Sequence, residues 1–513
     1  MKFNKYLFYV ILSLFLHLTG VAQQNAIPFI SEKNLKQHVM YLASDSLQGR
    51  GFFTEIPGLD LAADYIRRQI EKTEPGFAGE SYSQTFNLYV NRLDEENTFL
   101  KIFNEKEKEL TCRTQIAVFN QVSDTVNFSG EPVFIGFGLK DEQNGYNDLE
   151  GLDLKNKIVI LSAGTPESFR NGFSHQWNNP QERKKTEEIF EAGAKAIILV
   201  TSPQDEINST FNQMSRWTEH PRFSLEKIYQ SDQSNLIITT PEVADAFMGR
   251  KGSWKKMLKS ISRSGKPNSF PIKNRIVQVM SSRVTETLET QNVVGLIEGS
   301  DSLLKEECVV IMAHYDHLGM DRKGEIFNGA DDNASGAAVL IEEARAFSAS
   351  GNKPKRSVVF LWTTAEETGL LGSEYYSRNP VFPLSKTVVC INLDMVGRVY
   401  EPRDSVWSHS PKQVKDFDGI YALVNDFNPE LKEITTIVCN RLGLLPDFSL
   451  PATFFRTSDH YHFHHNRVPV LNLSTGYTAD YHKVTDVPER IRFDKMRRVA
   501  ELTFLTGFEM ANQ

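Results

Sequence analysis

Four apolar runs in the C-terminal half most constrain what this chain can fold into. They are VVIMAHYD from Val309, SVVFLWTTA from Ser357, TVVCINLDM from Thr387 and VPVLNLST from Val468. None alternates polar with apolar residues, so each predicts a strand buried on both faces. Helical patterns at roughly 335–349, 369–378 and 493–511 alternate with them, and RIVQVMSSRV and NVVGLIEG read as strands upstream. The predicted fold class is therefore α/β, a mostly parallel mixed sheet sandwiched by helices. Such sheets gather functional groups at the carboxyl ends of their strands. Three of the runs end in or lead directly to His or acidic residues.

With 513 residues the chain exceeds a single core, and two or three domains are expected. Residues 28–112 read as the N-terminal part of the C-terminal α/β domain at 275–513. Its helix near 60–70 carries the stripe Ala62, Ala63, Ile66 and Ile70. Between them, 113–273 changes texture to short β-branched runs (EPVFIGFG, KIVILSAG, AKAIILV) with one helix at roughly 180–192, and reads as an inserted β-rich unit. Lys2 and Lys5 precede an apolar run from Tyr6 to Leu18 and the small-residue site Gly20-Val21-Ala22. Residues 1–22 thus read as a signal peptide, with an uncleaved anchor as the alternative. The expected location is periplasmic or secreted, with no stable membrane span after cleavage. A net charge of −8 gives no reason to expect nucleic acid, and Arg183-Lys184-Lys185 reads as a solvated helix face. The cysteines 112, 308, 390 and 439 match no zinc knuckle or disulfide framework, and Cys308 and Cys390 read as apolar core. Four glycosylation sequons occur, and a glycan at Asn333 would block the loop described next, which favours a bacterial source.

Five short motifs place two imidazoles and three carboxylates near the ends of apolar runs: His314 in AHYDHLG, Asp331 in NGADDNASG, Glu367 in TTAEETGLLGS, Asp394 in INLDMVG and His482 in DYHKVTDV. Such a set suits two divalent ions side by side. Three carboxylates and a hydroxide balance the charge of two such ions, so the cluster can be partly buried. Asp331 is the expected bridging ligand, with Asp332 beside it as an outer partner. Asp316, two residues after His314, is expected to accept from the other nitrogen of that ring, and His317 to point to the opposite face. Asp486 is expected to orient His482. Asn333 or Ser335 could cap the following helix. Of the two adjacent Glu, Glu367 is taken as ligand and Glu366 as general base. Each motif alone has a plain structural reading: a strand-end His, a helix entry, a surface Glu pair, a loop His. All five, however, occur together in one order along the chain.

Taken together, the motifs HxD, GADDNASG, EE, LDM and a late His resemble the M28 family of zinc peptidases, over roughly 275–495 plus GRGFFTEIPGLDLAADYI near the N-terminus. The resemblance implies two Zn2+ per chain. Asp331 would bridge them, His314 and Asp394 would complete one site, and Glu367 and His482 the other. It also implies Glu366 as proton shuttle, Tyr477 in STGYTADYH as a group polarising the substrate carbonyl, and a cis peptide at Asp331–Asp332. Asp459-His460 matches a pattern expected to line the pocket, and Val487 stands where the family commonly has Thr. The segment GFGLKDEQNGYNDLEGLDLKNKIVILSAGTP followed by EEIFEAGAKAIILV resembles a protease-associated (PA) domain, which implies a packing or gating module without catalytic groups.

These features lead to the expectation of an exported aminopeptidase acting on peptides. The rivals are another reaction of the same family, either carboxypeptidase action or cyclisation of N-terminal glutamine, and a metal-free receptor-like protein on the same scaffold.

Overall fold

The computed structural model describes residues 30–72, 83–104, 109–119, 125–141, 144–166, 180–202, 211–212, 214–215, 218, 220–227, 235–321, 323–351, 353–406 and 417–513. The expected signal peptide lies outside these residues. The chain forms two compact units, one of residues 1–87 with 289–513 and one of residues 88–288. Composition had put the inserted segment at 113–273. The units divide within two long strands, Ser83–Asn104 and Arg275–Ile297, and the second carries an exposed run at 284–287 beside the division.

In the larger unit the helices are α1 (Glu32–Leu42), α2 (Gly58–Glu71), α3 (Gly336–Ala349), α4 (Leu371–Arg378), α5 (Pro429–Leu442), α6 (His460–His465) and α7 (Phe493–Asn512). With Ser83–Asn104 as β1, the strands that follow are β2 (Arg275–Ile297), β3 (Cys308–His314), β4 (Ser357–Thr363), β5 (Thr387–Leu393), β6 (Gly419–Val424), β7 (Leu445–Asp447) and β8 (Val470–Ser474). They hydrogen-bond in the order β2-β4-β3-β5-β8-β6-β7. The central pairs β4-β3, β3-β5 and β5-β8 are parallel, and β2 and β6 join antiparallel.

Alternate residues of these strands enter different cores, which is why the runs are apolar throughout. Val309, Ile311, Ala313, Phe360, Trp362, Ile391 and Leu473 pack with residues of α1, α2, α3, α5 and α7. Val310, Met312, Leu361, Cys390 and Val470 pack with Tyr376 of α4 and Phe463 of α6. All four cysteines are free thiols, and Cys308, Cys390 and Cys439 are buried.

The smaller unit holds a six-stranded sheet in the order 270–271, 132–134, 158–162, 196–200, 236–239, 116–119, with the four middle strands parallel and both edges antiparallel. Within it the buried carboxylate of Asp148 accepts from the amides of Phe137 and Leu139 and from the Tyr146 hydroxyl. Burial pushes its pKa up to about 6, against those bonds. No helix of the described residues is long and apolar enough to cross a membrane.

Candidate metal centre

The sheet order brings the carboxyl ends of β3, β4 and β5 side by side, and the polar residues that end these apolar runs face one another there. His314 closes β3, Glu366 and Glu367 follow β4, and Asp394 follows β5. Sharp backbone turns sit directly beside them: Ala365 (φ 58°) precedes the Glu pair, Met395 (φ 57°) follows Asp394, and His482 itself has φ 55°. Left-handed conformations at non-glycine residues are costly and cluster at functional sites.

Asp332, rather than Asp331, is the acid at the middle of the group. His314 Nε2 lies 3.4 Å from Asp332 Oδ1 and 3.4 Å from Asp394 Oδ1. His482 Nε2 lies 3.2 Å from Asp332 Oδ2 and 3.2 Å from Glu367 Oε2. One carboxylate thus presents a different oxygen to each imidazole. Asp331 turns away: its Oδ1 accepts from the amide of Gly397 at 2.8 Å, and its carbonyl accepts from the Ser335 hydroxyl. The non-proline cis bond is Asp332–Asn333, one residue later than the resemblance implied.

Two of the expected outer partners hold backbone instead of rings. Asp486 accepts from the amides of Asp331 and Asp332 at 3.0–3.1 Å, which fixes the acidic loop and not His482. Asp316 accepts from the amides of Glu366 and Glu367 at 3.1 and 3.3 Å, and His314 Nδ1 meets the carbonyl of Asp316 at 3.2 Å, closer than its carboxylate at 3.7 Å. Asn333, not Ser335, satisfies the start of α3: its Oδ1 accepts from Gly336 and Met395 amides, while its side-chain amide donates to Leu393.

His317 is the clearest departure from expectation. Strand alternation had sent it to the opposite face. β3 ends at His314, however, so alternation no longer governs the residues beyond it. His317 is buried with Nδ1 2.6 Å from Glu367 Oε1. Gly329 makes the space, because a Cβ there would collide with the His317 ring and the Asp332 carbonyl. Asp459 and His460 also depart from expectation. Both are fully buried: Asp459 accepts from Thr363, and His460 Nε2 meets the carbonyl of Phe454 at 3.1 Å.

Sequence reasoning missed three further residues. Arg50, from GRG, is fully buried and donates to the carbonyls of Tyr315, Asn328, Gly329 and Leu42, tying both histidine- and aspartate-bearing loops to the N-terminal segment. Burial lowers its pKa to about 10, against the pull of Asp332, Asp316, Asp486 and Glu367, so it stays cationic at neutral pH. Asp480 is buried and accepts from Arg398 at 3.0 Å and from Thr485 at 2.6 Å, anchoring the loop that carries His482. Tyr481 stacks on His482 with ring centroids 3.8 Å apart. Only adjacence to His482 could have signalled Tyr481, and only the paired glycines could have signalled Arg50.

The electrostatics are those of a dense acidic cluster. Burial raises Glu366 well above the usual carboxylate range. The charges of Glu367, Asp394 and Asp459 add to that, against the pull of His314. Burial opposes the charge on Asp332, yet His317, His314 and His482 overcome it and hold the group well below its usual value. Burial and the charge of Asp486 raise Asp331 well above its own. Burial lowers His482, but Asp332 and Glu367 outweigh it and push the imidazole up to about 10. Without cations, then, the cluster holds protons at the atoms that face one another.

A tetrahedral zinc with donors about 2.0–2.1 Å away separates any two of them by about 3.3–3.4 Å. The four imidazole–carboxylate distances of 3.2–3.4 Å match that edge on both sides of Asp332. Asp394 Oδ1 is buried with no hydrogen-bond partner, as a donor kept for an ion would be. The residues therefore fit a pair of zinc ions. The 2.6 Å between His317 and Glu367 is a hydrogen-bond length and does not fit a shared ion, although these groups also lie close enough together to suggest one.

The cavity beside this cluster is lined by Asp332, Glu366, Glu367, Asp394 and His482, with Met395, Leu450, Phe454 and the rings of Tyr421, Tyr477 and Tyr481 among its walls. Burial, with the charges of Asp394, Asp332 and Glu366, keeps the Tyr477 hydroxyl protonated.

Residues 292–506 match the sequence pattern of peptidase family M28. This chain carries a peptidase family M28 domain. Leupeptin-inactivating enzyme 1 of Streptomyces exfoliatus is 32% identical over 156 residues, 30% of either chain. Aminopeptidase YwaD of Bacillus subtilis is 28% identical over 228 residues, 43% of this chain and 44% of its own. The matched stretches thus span less than half of these relatives. Among solved structures, an aminopeptidase from Aneurinibacillus sp. strain AM-1 superposes with a TM-score of 0.55 at 19% identity over 96% of both chains. BSAP, a zinc aminopeptidase from Bacillus subtilis, superposes with a TM-score of 0.50 at 17% identity over 94% of this chain and 96% of its own. These likenesses establish a shared fold.

Proposed function

We propose that this M28-domain chain is an exported di-zinc aminopeptidase. The observation that carries the reading is the pair of donor sets meeting on Asp332. His314 and Asp394 stand on one side, His482 and Glu367 on the other, at separations suited to tetrahedral ions. The names of two similar proteins, one an aminopeptidase and one a zinc aminopeptidase, support the same reading.

Bound zinc supplies Lewis acidity that acidifies water and polarises a carbonyl. The protein supplies the rest. Glu366 lines the cavity beside the donor sets, with its backbone amide held by Asp316. It takes a proton from the attacking water and returns it to the leaving amine. Its crowded, acidic surroundings favour holding that proton between the two events. Tyr477, kept protonated, donates toward the oxygen where negative charge develops.

The same cavity favours a peptide's amino end over its carboxyl end. Among the described residues no Lys or Arg lines it, so a terminal carboxylate finds no basic side chain there; three of its four carboxylates are the donors the ions would neutralise, which leaves Glu366 to face a free ammonium. The segment 113–273 serves as a PA-like packing or gating module; the proposed donors His314, Asp332, Glu367, Asp394 and His482 all lie in the unit that excludes it.

The test is zinc stoichiometry of the purified protein, with turnover of free, N-blocked and C-blocked peptides with and without chelator. Two zincs per chain and cleavage only of peptides with a free amino end are expected. Activity that survives full zinc removal, or a preference for N-blocked peptides, overturns the reading.

A further inference from the structure

The donor sets leave one imidazole over, and it is held as deliberately as the others. His317 has its backbone amide on the carbonyl of Arg50 at 3.3 Å, its ring in the space left by Gly329, and its edge against the His482 ring at 5.8 Å. Nδ1 faces Glu367 Oε1 at 2.6 Å, while the other oxygen of the same carboxylate faces His482 at 3.2 Å. A carboxylate can only accept, so the ring donates from Nδ1. The two oxygens of Glu367 thereby have separate partners: Oε1 is tied back by a hydrogen bond, and Oε2 is left for an ion.

We propose that His317 is a positioning residue. It fixes the rotamer of Glu367 and so sets the affinity of the zinc site on the Glu367–His482 side, leaving the His314–Asp394 side unaffected. The proposal rests on the di-zinc reading above. Asp316 already fixes the backbone of Glu367 through its amide, so what remains free without His317 is rotation of the side chain. Outer partners of metal ligands commonly account for 10–100-fold in affinity, and that is the size expected here.

The experiment compares wild type with His317→Asn, His317→Leu and His317→Ala. Asn and Leu both have four side-chain heavy atoms branched at Cγ and differ in the N–H, which separates the hydrogen bond from the shape of the side chain, and Ala removes both. Each metal-free protein is titrated with Zn2+ against a chromophoric chelator and with Co2+ by absorption, alongside a thermal melt of the metal-free form. The wild type should take two ions. His317→Leu and His317→Ala should keep one ion at wild-type affinity and bind the second about 10–100-fold more weakly, with kcat lowered and KM little changed. His317→Asn should recover most of the loss. Two ions at wild-type affinity in His317→Leu overturn the proposal, as does equal weakening of both ions. If Leu does not fold, the Ala and Asn pair decides on the same criteria. A wild type that takes fewer than two ions overturns the di-zinc reading itself, which is a separate outcome.

Discussion

Replacing Asp332 and Asp331 by Asn, one at a time, separates the two adjacent acids of NGADDNASG more sharply than any other perturbation. Among the described residues, Asp332 is the only carboxylate within 3.4 Å of both His314 and His482, through a different oxygen in each case. On the di-zinc reading, neutralising it takes one of three protein donors from each ion at once. Outer partners alone account for 10–100-fold in affinity, so loss of a charged direct ligand should weaken each ion by at least about 100-fold. That corresponds to about 2.7 kcal/mol per ion and more than about 5 kcal/mol over the pair. Asp331 makes no such contact. Its Oδ1 accepts from Gly397, its Oδ2 is buried without a partner, and burial beside Asp486 favours its neutral form. An amide keeps the acceptor and removes a buried acid, so Asp331→Asn should retain both ions and stay within about threefold in kcat/KM, under about 0.7 kcal/mol. Metal content by mass spectrometry after gel filtration, chelator competition and turnover of an aminoacyl anilide measure all of these quantities. The reasoning is refuted if Asp331→Asn loses its metal while Asp332→Asn keeps it.

Two further outcomes follow from the same geometry. Glu366→Gln should keep two zincs and lose about 10²–10⁴-fold in kcat, the span expected for loss of a general base; full zinc with wild-type turnover would remove Glu366 from the mechanism. Buried His460 gives a pH test: Nε2 donates to the carbonyl of Phe454 and Nδ1 accepts from Asn392 at 3.5 Å, a pattern that only the neutral ring satisfies. Burial lowers its pKa from 6.5 to about 4, so below pH 6.5 the unfolded chain binds the proton more readily. The stabilisation is complete above that pH and is lost as pH falls toward 4. At pH 4.5 the loss from this group is about 2–3 kcal/mol. Denaturant midpoints of wild type and His460→Gln at pH 7.5 and 4.5 should therefore converge at the lower pH, with other groups cancelling in the comparison, and parallel losses would refute the neutral-ring account.

The sheet was legible because strands covered on both faces have no freedom to be polar. Val309 and Val310 enter different cores, and both must be apolar. The neighbourhood of the site was legible for the complementary reason that polar groups ending such strands must find partners, which in a parallel sheet converge at one end. What could not be read was the direction in which individual side chains point once the strand has ended. His317 lies three residues past His314, where alternation fails, and Asp331 and Asp332 sit in a loop whose turn is set by contacts with Gly397 and Asp486, far along the chain. The units divide inside continuous strands, where no loop or turn composition marks the change of packing. The misreadings at the site have a common cause. Periodicity carries information while the backbone repeats, and a metal site is assembled where the repeat stops, so residue identities mark the place and only long-range backbone hydrogen bonds choose which of two neighbours faces in. Asp486 and Asp316 do that choosing here. Each holds two consecutive amides, and each thereby turns one member of an acidic pair toward the imidazoles.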